Sequence, residues 1–220
     1  MAVALVVAAG RGERLGLGRP KALVSLAGKP MVEWSLGALR GASAVERTVV
    51  ALPPGTDFAP AQADGVVCVA GGVARSQSVQ AALQAAGEGD PVIVHDAARP
   101  LASSELFERA LAELEQSGAD AVIAAVPVSD TIKEVSEDGR TVAGTLDRAK
   151  LWAVQTPQVF RRAALERALM DDELVARATD DAWLIEQQGG TGRVIDSGEP
   201  NLKITTPDDM RVAELLLSER

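Results

Sequence analysis

The sequence predicts an α/β fold, a mostly parallel twisted sheet flanked by helices, with one β-hairpin arm protruding from it. Three observations predict it. Short β-branched apolar runs alternate with amphipathic helical stretches. The first of these runs stops at a Gly-rich turn, as a buried parallel strand does. Around Asp138-Gly139 the alternation breaks into a polar hairpin signal. The 220 residues, 47% hydrophobic and 24% charged, suit one globular domain spanning 1–220.

Val3–Ala8 is the first strand, apolar throughout. Pro30–Arg40 reads as a helix, with Pro30 suited to its start and Gly41 to its end. Arg47–Leu52 and Val66–Val69 are strands, and Cys68 in the second of them reads as a core residue. Ser76–Ala86 is a helix with Val79, Leu83 and Ala86 on one face. Pro91–Val94 is a buried strand that delivers His95 and Asp96 at its carboxyl end. Ser103–Gln116 is a helix capped by Ser103 or Ser104, with Leu106, Ala110 and Leu114 as its stripe. Ala121–Val126 is another apolar strand. Thr131–Lys133 and Thr141–Thr145 flank the Asp138-Gly139 turn as a hairpin, polar on both faces. A hairpin that cannot bury itself reaches over a ligand or a second subunit. A strand near Trp152–Val154 follows, then helices at Arg161–Met170 and Asp180–Gln188 and a short strand at Arg193–Ile195. Asp171-Asp172-Glu173 reads as a solvated helix end, and Asp180-Asp181 as a helix start rather than a metal site. Thr206 caps a closing helix at Pro207–Leu217, whose first turn Asp208 and Asp209 favour.

The scarce residues exclude several chemistries. There is one Cys (Cys68), so no internal disulfide, Cys-X-X-Cys pair or zinc knuckle. There is one His (His95), so no multi-histidine metal site. His95 itself reads as a packed strand-end residue. Aromatics are 3% with no Tyr, against a stacking platform for single strands. A net charge of −9 argues against duplex nucleic acid or an anionic membrane as partner. The apolar stretch Ala2–Ala9 falls far short of the ~20 residues of a bilayer span and lacks a basic lead-in, so the expected compartment is the cytoplasm.

In such a sheet ligands bind at the carboxyl ends of strands, which singles out two loops. The first runs Ala8-Ala9-Gly10-Arg11-Gly12-Glu13-Arg14-Leu15-Gly16-Leu17-Gly18-Arg19-Pro20-Lys21. Its glycines let backbone amides approach a phosphate closely. No Gly-Lys-Ser/Thr closes it, and Leu15 stands where a dinucleotide fingerprint needs a third Gly. From Arg11 to Lys29 five basic residues face one acid, a local +4 that suits a polyphosphate. The second loop follows Val92-Ile93-Val94-His95-Asp96-Ala97-Ala98-Arg99-Pro100. Asp96, at a strand end among cations, is either a ligand for a hard divalent ion or a turn cap.

These residues carry a resemblance. Ala-Ala-Gly-x-Gly-x-Arg-Leu followed by Pro-Lys resembles the signature of the sugar-phosphate nucleotidyltransferases. Val92–Arg99 narrows this to the 2-C-methyl-D-erythritol 4-phosphate cytidylyltransferase family. Gly71–Val79, Asp130–Lys133, Asp147-Arg148, Leu151–Gln158 and Asn201–Thr205 resemble further patches of that family, so the likeness spans the chain. It implies a Rossmann-like fold and Mg2+-dependent transfer of CMP from CTP to the polyol phosphate, other divalent cations being possible. It implies that Arg14 and Lys21 stabilise the transition state, and that Gly10 to Gly12 hold the β- and γ-phosphates. Gly72 and Ser78 would contact cytosine, although Ser78 also reads as a first-turn helix residue bonded to backbone. Ala8, Ala9 and Ala97 leave room for the nucleoside, and Asp96 would hold the metal. Arg148 and Lys203 would hold the acceptor for in-line attack, with Thr131, Thr156 and Arg99 as further contacts. The arm at 130–149 would form a homodimer and bring Arg148 and Thr156 to the partner's site. A cytidylyltransferase for ribitol 5-phosphate or another polyol phosphate, and a non-catalytic nucleotide-binding regulator, are the competing readings.

Overall fold

A computed structural model describes the chain except Glu13, Arg14, Leu17, Glu199 and Arg220. Among the described residues the strands are β1 (Ala2–Val7), β2 (Ser25–Leu26), β3 (Lys29–Pro30), β4 (Val45–Leu52), β5 (Val66–Ala70), β6 (Val92–Asp96), β7 (Ala121–Pro127), β8 (Lys133–Val135), β9 (Val142–Thr145), β10 (Trp152–Phe160) and β11 (Gly192–Asp196). The helices are α1 (Met31–Gly41), α2 (Arg75–Ala85), α3 (Ser104–Ser117), α4 (Arg162–Ala168), α5 (Asp172–Arg177), α6 (Asp181–Gln187) and α7 (Pro207–Ser218). Seven of the strands form one sheet in the order β11-β7-β10-β6-β1-β4-β5. Within it β10 runs antiparallel to both neighbours, and the other pairings are parallel.

The period of two along β1 builds the core. Ala2, Ala4 and Val6 pack against the α1 and α3 side with Leu36, Leu39, Phe107 and Leu114. Val3 and Leu5 point the other way, toward Val79 and Leu83 of α2 and Leu165 of α4. Both faces are covered, so the strands read as continuous apolar runs. Helix ends follow local chemistry. The Ser103 hydroxyl accepts from the Leu106 amide at 3.3 Å, and Gly118 ends α3 with φ 67°. Thr206 and Asp209 exchange bonds between side chain and amide at the start of α7, where Pro207 needs no partner.

Three expectations change. The strand near Trp152–Val154 continues to Phe160, because Pro157 falls in a bulge where no ladder bond is required. The acidic run at 171–173 starts the short helix α5, with Asp171 as its cap. Cys68 is exposed rather than core, since β5 lies at the sheet edge. Among the described residues no helix is long and apolar enough to cross a membrane. The hairpin β8–β9 stands outside the main sheet with its side chains largely exposed.

Candidate active site

The chain leaves β1 toward β4 on one side, while β6 lies against its other side. This reversal of strand order opens a crevice at the carboxyl ends of β1 and β6, where Val7 is paired with Asp96. The loop after β1 is folded back on itself: the Lys21 amide donates to the Gly10 carbonyl at 3.1 Å, and the Leu15 amide to Gly12 at 2.9 Å. Gly12 has φ 71°, and a Cβ there would lie 3.0 Å from the Lys21 Cβ. Glycine is thus what lets Lys21 sit against the loop. Arg14, expected beside it, lies outside the described residues.

The segment before α2 forms the facing wall. A Cβ on Gly72 would fall 2.3 Å from the Gln77 Cβ. The Ser78 hydroxyl accepts from the Gly72 amide at 3.1 Å and donates to the Ala74 carbonyl at 3.3 Å. Ser78 is therefore the backbone-bonded first-turn residue of one of its two readings, and it lines the crevice as well. Between the two walls lies a cavity of about 220 Å³, lined by Ala8, Ala9, Gly10, Lys21, Gly72, Ser78, Arg75, Asp96, Ala97 and Lys203. It opens outward along Arg11, Gly12, Pro53, Pro54 and Thr205.

A second cavity of about 390 Å³ lies on the other side of Asp96, lined by Arg99, Thr156, Gln158, Asp180 and Trp183 among others. Arg75, Asp96 and Lys203 line both cavities and form the partition between them. Asp96 is 6% exposed. Its carboxylate accepts from Arg75 Nε at 3.1 Å and from Lys203 Nζ at 2.6 Å. Burial works to raise its pKa, but the two cations outweigh burial and hold it well below the usual carboxylate range. Arg75 also donates through Nη1 to Asp181 at 2.5 Å. Asp181 is 1% exposed, and burial pushes its pKa up against the pull of Arg75.

Beneath the partition, the Asp96 amide donates to the Thr156 hydroxyl at 3.0 Å, which lies 3.1 Å from His95 Nδ1. His95 is fully buried edge-on to Phe107, with ring centroids 5.0 Å apart. The packed strand-end reading of His95 holds. Arg99 donates to the Asn201 carbonyl at 2.8 Å, and the Ile204 amide to Ala98 at 2.8 Å. These bonds fix the segment that carries Lys203. Thr131 and Arg148 are exposed, and neither lines either cavity of its own chain. Arg148 is held at the root of the arm by donating to the Ser129 carbonyl.

Sequence reasoning missed Arg75 and Asp181 as site residues. Asp180 does cap α6, accepting from the Trp183 amide at 2.9 Å, but its neighbour Asp181 turns inward to Arg75. The doubled acid at a helix start was the available signal. As for a metal, no group of three His, Cys, Asp or Glu side chains is gathered among the described residues. Asp96, the carboxylate that lines the smaller cavity, fits Mg2+, which binds through one or two carboxylates, substrate phosphates and water.

The family model described as 2-C-methyl-D-erythritol 4-phosphate cytidylyltransferase matches residues 2–219. A relative of that name from Frankia casuarinae is 46% identical over 98% of this chain and 80% of its own. One from Nocardia farcinica is 44% identical over 99% of this chain and 94% of its own. The crystal structure of 2-C-methyl-D-erythritol 4-phosphate cytidylyltransferase from Thermus thermophilus superposes with a TM-score of 0.79 at 33% identity, over 99% of this chain and 100% of that one. The Francisella tularensis structure of the same name gives 0.83 at 31% identity, over 97% of this chain and 98% of that one.

Proposed function

The chain belongs to the 2-C-methyl-D-erythritol 4-phosphate cytidylyltransferase family, and from that premise we propose how its residues divide the work. The reaction transfers CMP from CTP to 2-C-methyl-D-erythritol 4-phosphate in isoprenoid precursor synthesis. A phosphate monoester oxygen attacks the α-phosphorus of CTP. The bond to the bridging α–β oxygen breaks, and pyrophosphate leaves with the electron pair. The nucleophile already carries charge at neutral pH, so no strong base is required. The work is to bring two anions together and to stabilise the equatorial oxygens in flight.

In this reading CTP takes the smaller cavity, with the base against Gly72 and Ser78 and the nucleoside against Ala8, Ala9 and Ala97. The amides of Gly10 to Gly12 hold the β- and γ-phosphates, and Lys21 and Arg14 meet the α-phosphate. Asp96 holds Mg2+, which when bound adds positive charge to the triphosphate. The acceptor takes the second cavity against Lys203, Arg99 and Thr156. The observation that carries this is the shared partition: Lys203 and Asp96 line both cavities, so the two phosphates meet there.

Thr156, expected with Arg148 at the partner's site, is instead buried in its own chain, bonded to the Asp96 amide and lining the second cavity. Arg148 and Thr131 act on the partner's site across a homodimer built by the arm. Two features support this. Neither residue lines either of the two cavities described above, and Val135, Val142, Leu146, Trp152 and Val154 are exposed along the arm and its root. We place the reaction in the cytoplasm, as the lone cysteine suggests.

The test is pyrophosphate release from CTP, with and without the acceptor and Mg2+. Release without the acceptor, or none with both, refutes the assignment. For the dimer, Lys21→Ala and Arg148→Ala chains, each inactive alone, are co-expressed. Random pairing leaves about a quarter of all sites intact if Arg148 acts in trans. Mixed dimers that stay inactive remove the cross-subunit role.

A further inference from the structure

We propose that Asp181 is a positioning residue for the transfer: by holding one arm of Arg75 it keeps that guanidinium from capturing the Asp96 carboxylate. The inference rests on the reading that nucleotide and acceptor meet at the Asp96 partition. Arg75 is the first residue of α2 and Asp181 the first of α6, two elements 106 positions apart in sequence. They meet at a side chain that neither the phosphate loop nor the acceptor segment supplies.

The argument is one of donor geometry. A guanidinium presents its donors in a fixed planar fork, and against a lone carboxylate it settles into two parallel bonds. Here it does not. Nη1 is committed to Asp181, which fixes the orientation of the guanidinium. Nε reaches Asp96 at Oδ1, while Nη2, the donor that would complete a fork with Nε, makes no bond to that carboxylate. The other oxygen, Oδ2, stays on the Lys203 side. Lys203 is a partly exposed point charge whose side chain is 46% accessible, and it can follow a phosphate. Arg75 is more enclosed and held from both ends, so it cannot. The charges also balance. Arg75 and Lys203 face Asp96 and Asp181, and the group as a whole is neutral. Removing the Asp181 charge leaves Arg75 with Asp96 as its only carboxylate among these partners. The fork then closes on both oxygens, and Asp96 is lost to the cation and the phosphates.

Asp181 touches neither substrate in this scheme, so its effect must pass through Arg75. The experiment compares Asp181→Asn, Arg75→Lys, the double variant and Asp96→Asn with the wild-type chain. It reads kcat and KM for both substrates. It also reads Mn2+ binding by electron paramagnetic resonance, with a CTP analogue carrying a methylene between the α- and β-phosphorus. Loss of a partner that orients a ligand costs about 10–100-fold in affinity or activity as a rule. Asp181→Asn is expected to lower kcat and weaken Mn2+ binding by about that factor, with KM for the acceptor little changed. The double variant is expected to be no worse than Arg75→Lys alone, because Asp181 has nothing left to hold. Wild-type Mn2+ affinity in Asp181→Asn, or additive losses in the double variant, overturns the proposal. If Asp181→Asn does not fold, the double variant compared with Arg75→Lys decides, since lysine has no fork to close on Asp96: a further loss of Mn2+ affinity on removing the Asp181 charge in that background overturns the proposal. Asp96→Asn separates the two levels. If it stays active, the site reading falls and takes this inference with it. If it is inactive while Asp181→Asn matches wild type, this inference alone falls.

Discussion

Lowering the pH from 7 to 5 should cost this protein stability through His95. His95 is the chain's one histidine. It is fully buried, and its Nε2 has no hydrogen-bond partner among the described residues. A charged imidazolium there would hold an unsatisfied donor in a dry site, with Arg99 and Arg75 nearby. Burial first, and the two arginines with it, bring its pKa from 6.5 down to about 4, against the opposing pull of Asp96. The unfolded chain therefore binds a proton between those values that the native chain does not. This contribution is complete above the unfolded value and is lost as pH falls toward the native one. Between pH 7 and pH 5 the loss comes to about 2 kcal/mol. Urea unfolding followed by circular dichroism, in metal-free buffer, should show it as a drop of roughly 1 M in midpoint. A His95→Asn chain is less stable at every pH, because the packing on Phe107 is lost, but it should lack this drop. The opposing gain from Asp181, whose pKa burial raises, is common to both chains. If that variant loses stability as steeply as the wild type, the titrating group is elsewhere and the reasoning fails.

Further outcomes follow from the same geometry. Gly72→Ala drives a methyl into Gln77 and shifts the wall of the nucleotide cavity, so KM for CTP should rise while the acceptor KM holds, read by steady-state kinetics. Phe160→Ala empties a fully buried site at the inner end of β10 and should cost about 3–5 kcal/mol in urea unfolding. Chelation by EDTA should stop pyrophosphate release, and added Mg2+ should restore it. Full activity in EDTA would remove the metal role of Asp96.

The parts of this fold that were legible in sequence are those governed by local chemistry. β1 and β6 announce themselves as apolar runs ending in Gly- and Ala-rich turns, and the two loops that bound the site follow from them. Thr206 with Asp209, and Ser103 before α3, mark helix starts that the structure keeps. The inner half of β10 was hidden because Pro157 reads as a strand breaker until the bulge that accommodates it is known. The exposure of Cys68 depended on which strand lies at the sheet edge, a fact of topology that composition does not carry. The Arg75–Asp181 pair was hidden for the same reason. Each residue has a bland local role, at a helix start, and acquires its chemistry only from the other.

The bulge in β10 has a bearing on how the arm can vary. In nine residues this strand passes from three exposed positions at the root of the arm to five buried ones under Asp96. The residues between Val154 and Gln158 stand outside the regular pairing with β7. A strand continuous through that point would transmit any one-residue slip from the arm into the core and turn Thr156 away from Asp96. The interruption acts as a slack joint. Arms of different length or pitch, suited to different partners, can be fitted to one end of the strand while the other keeps its register beneath the Asp96 carboxylate.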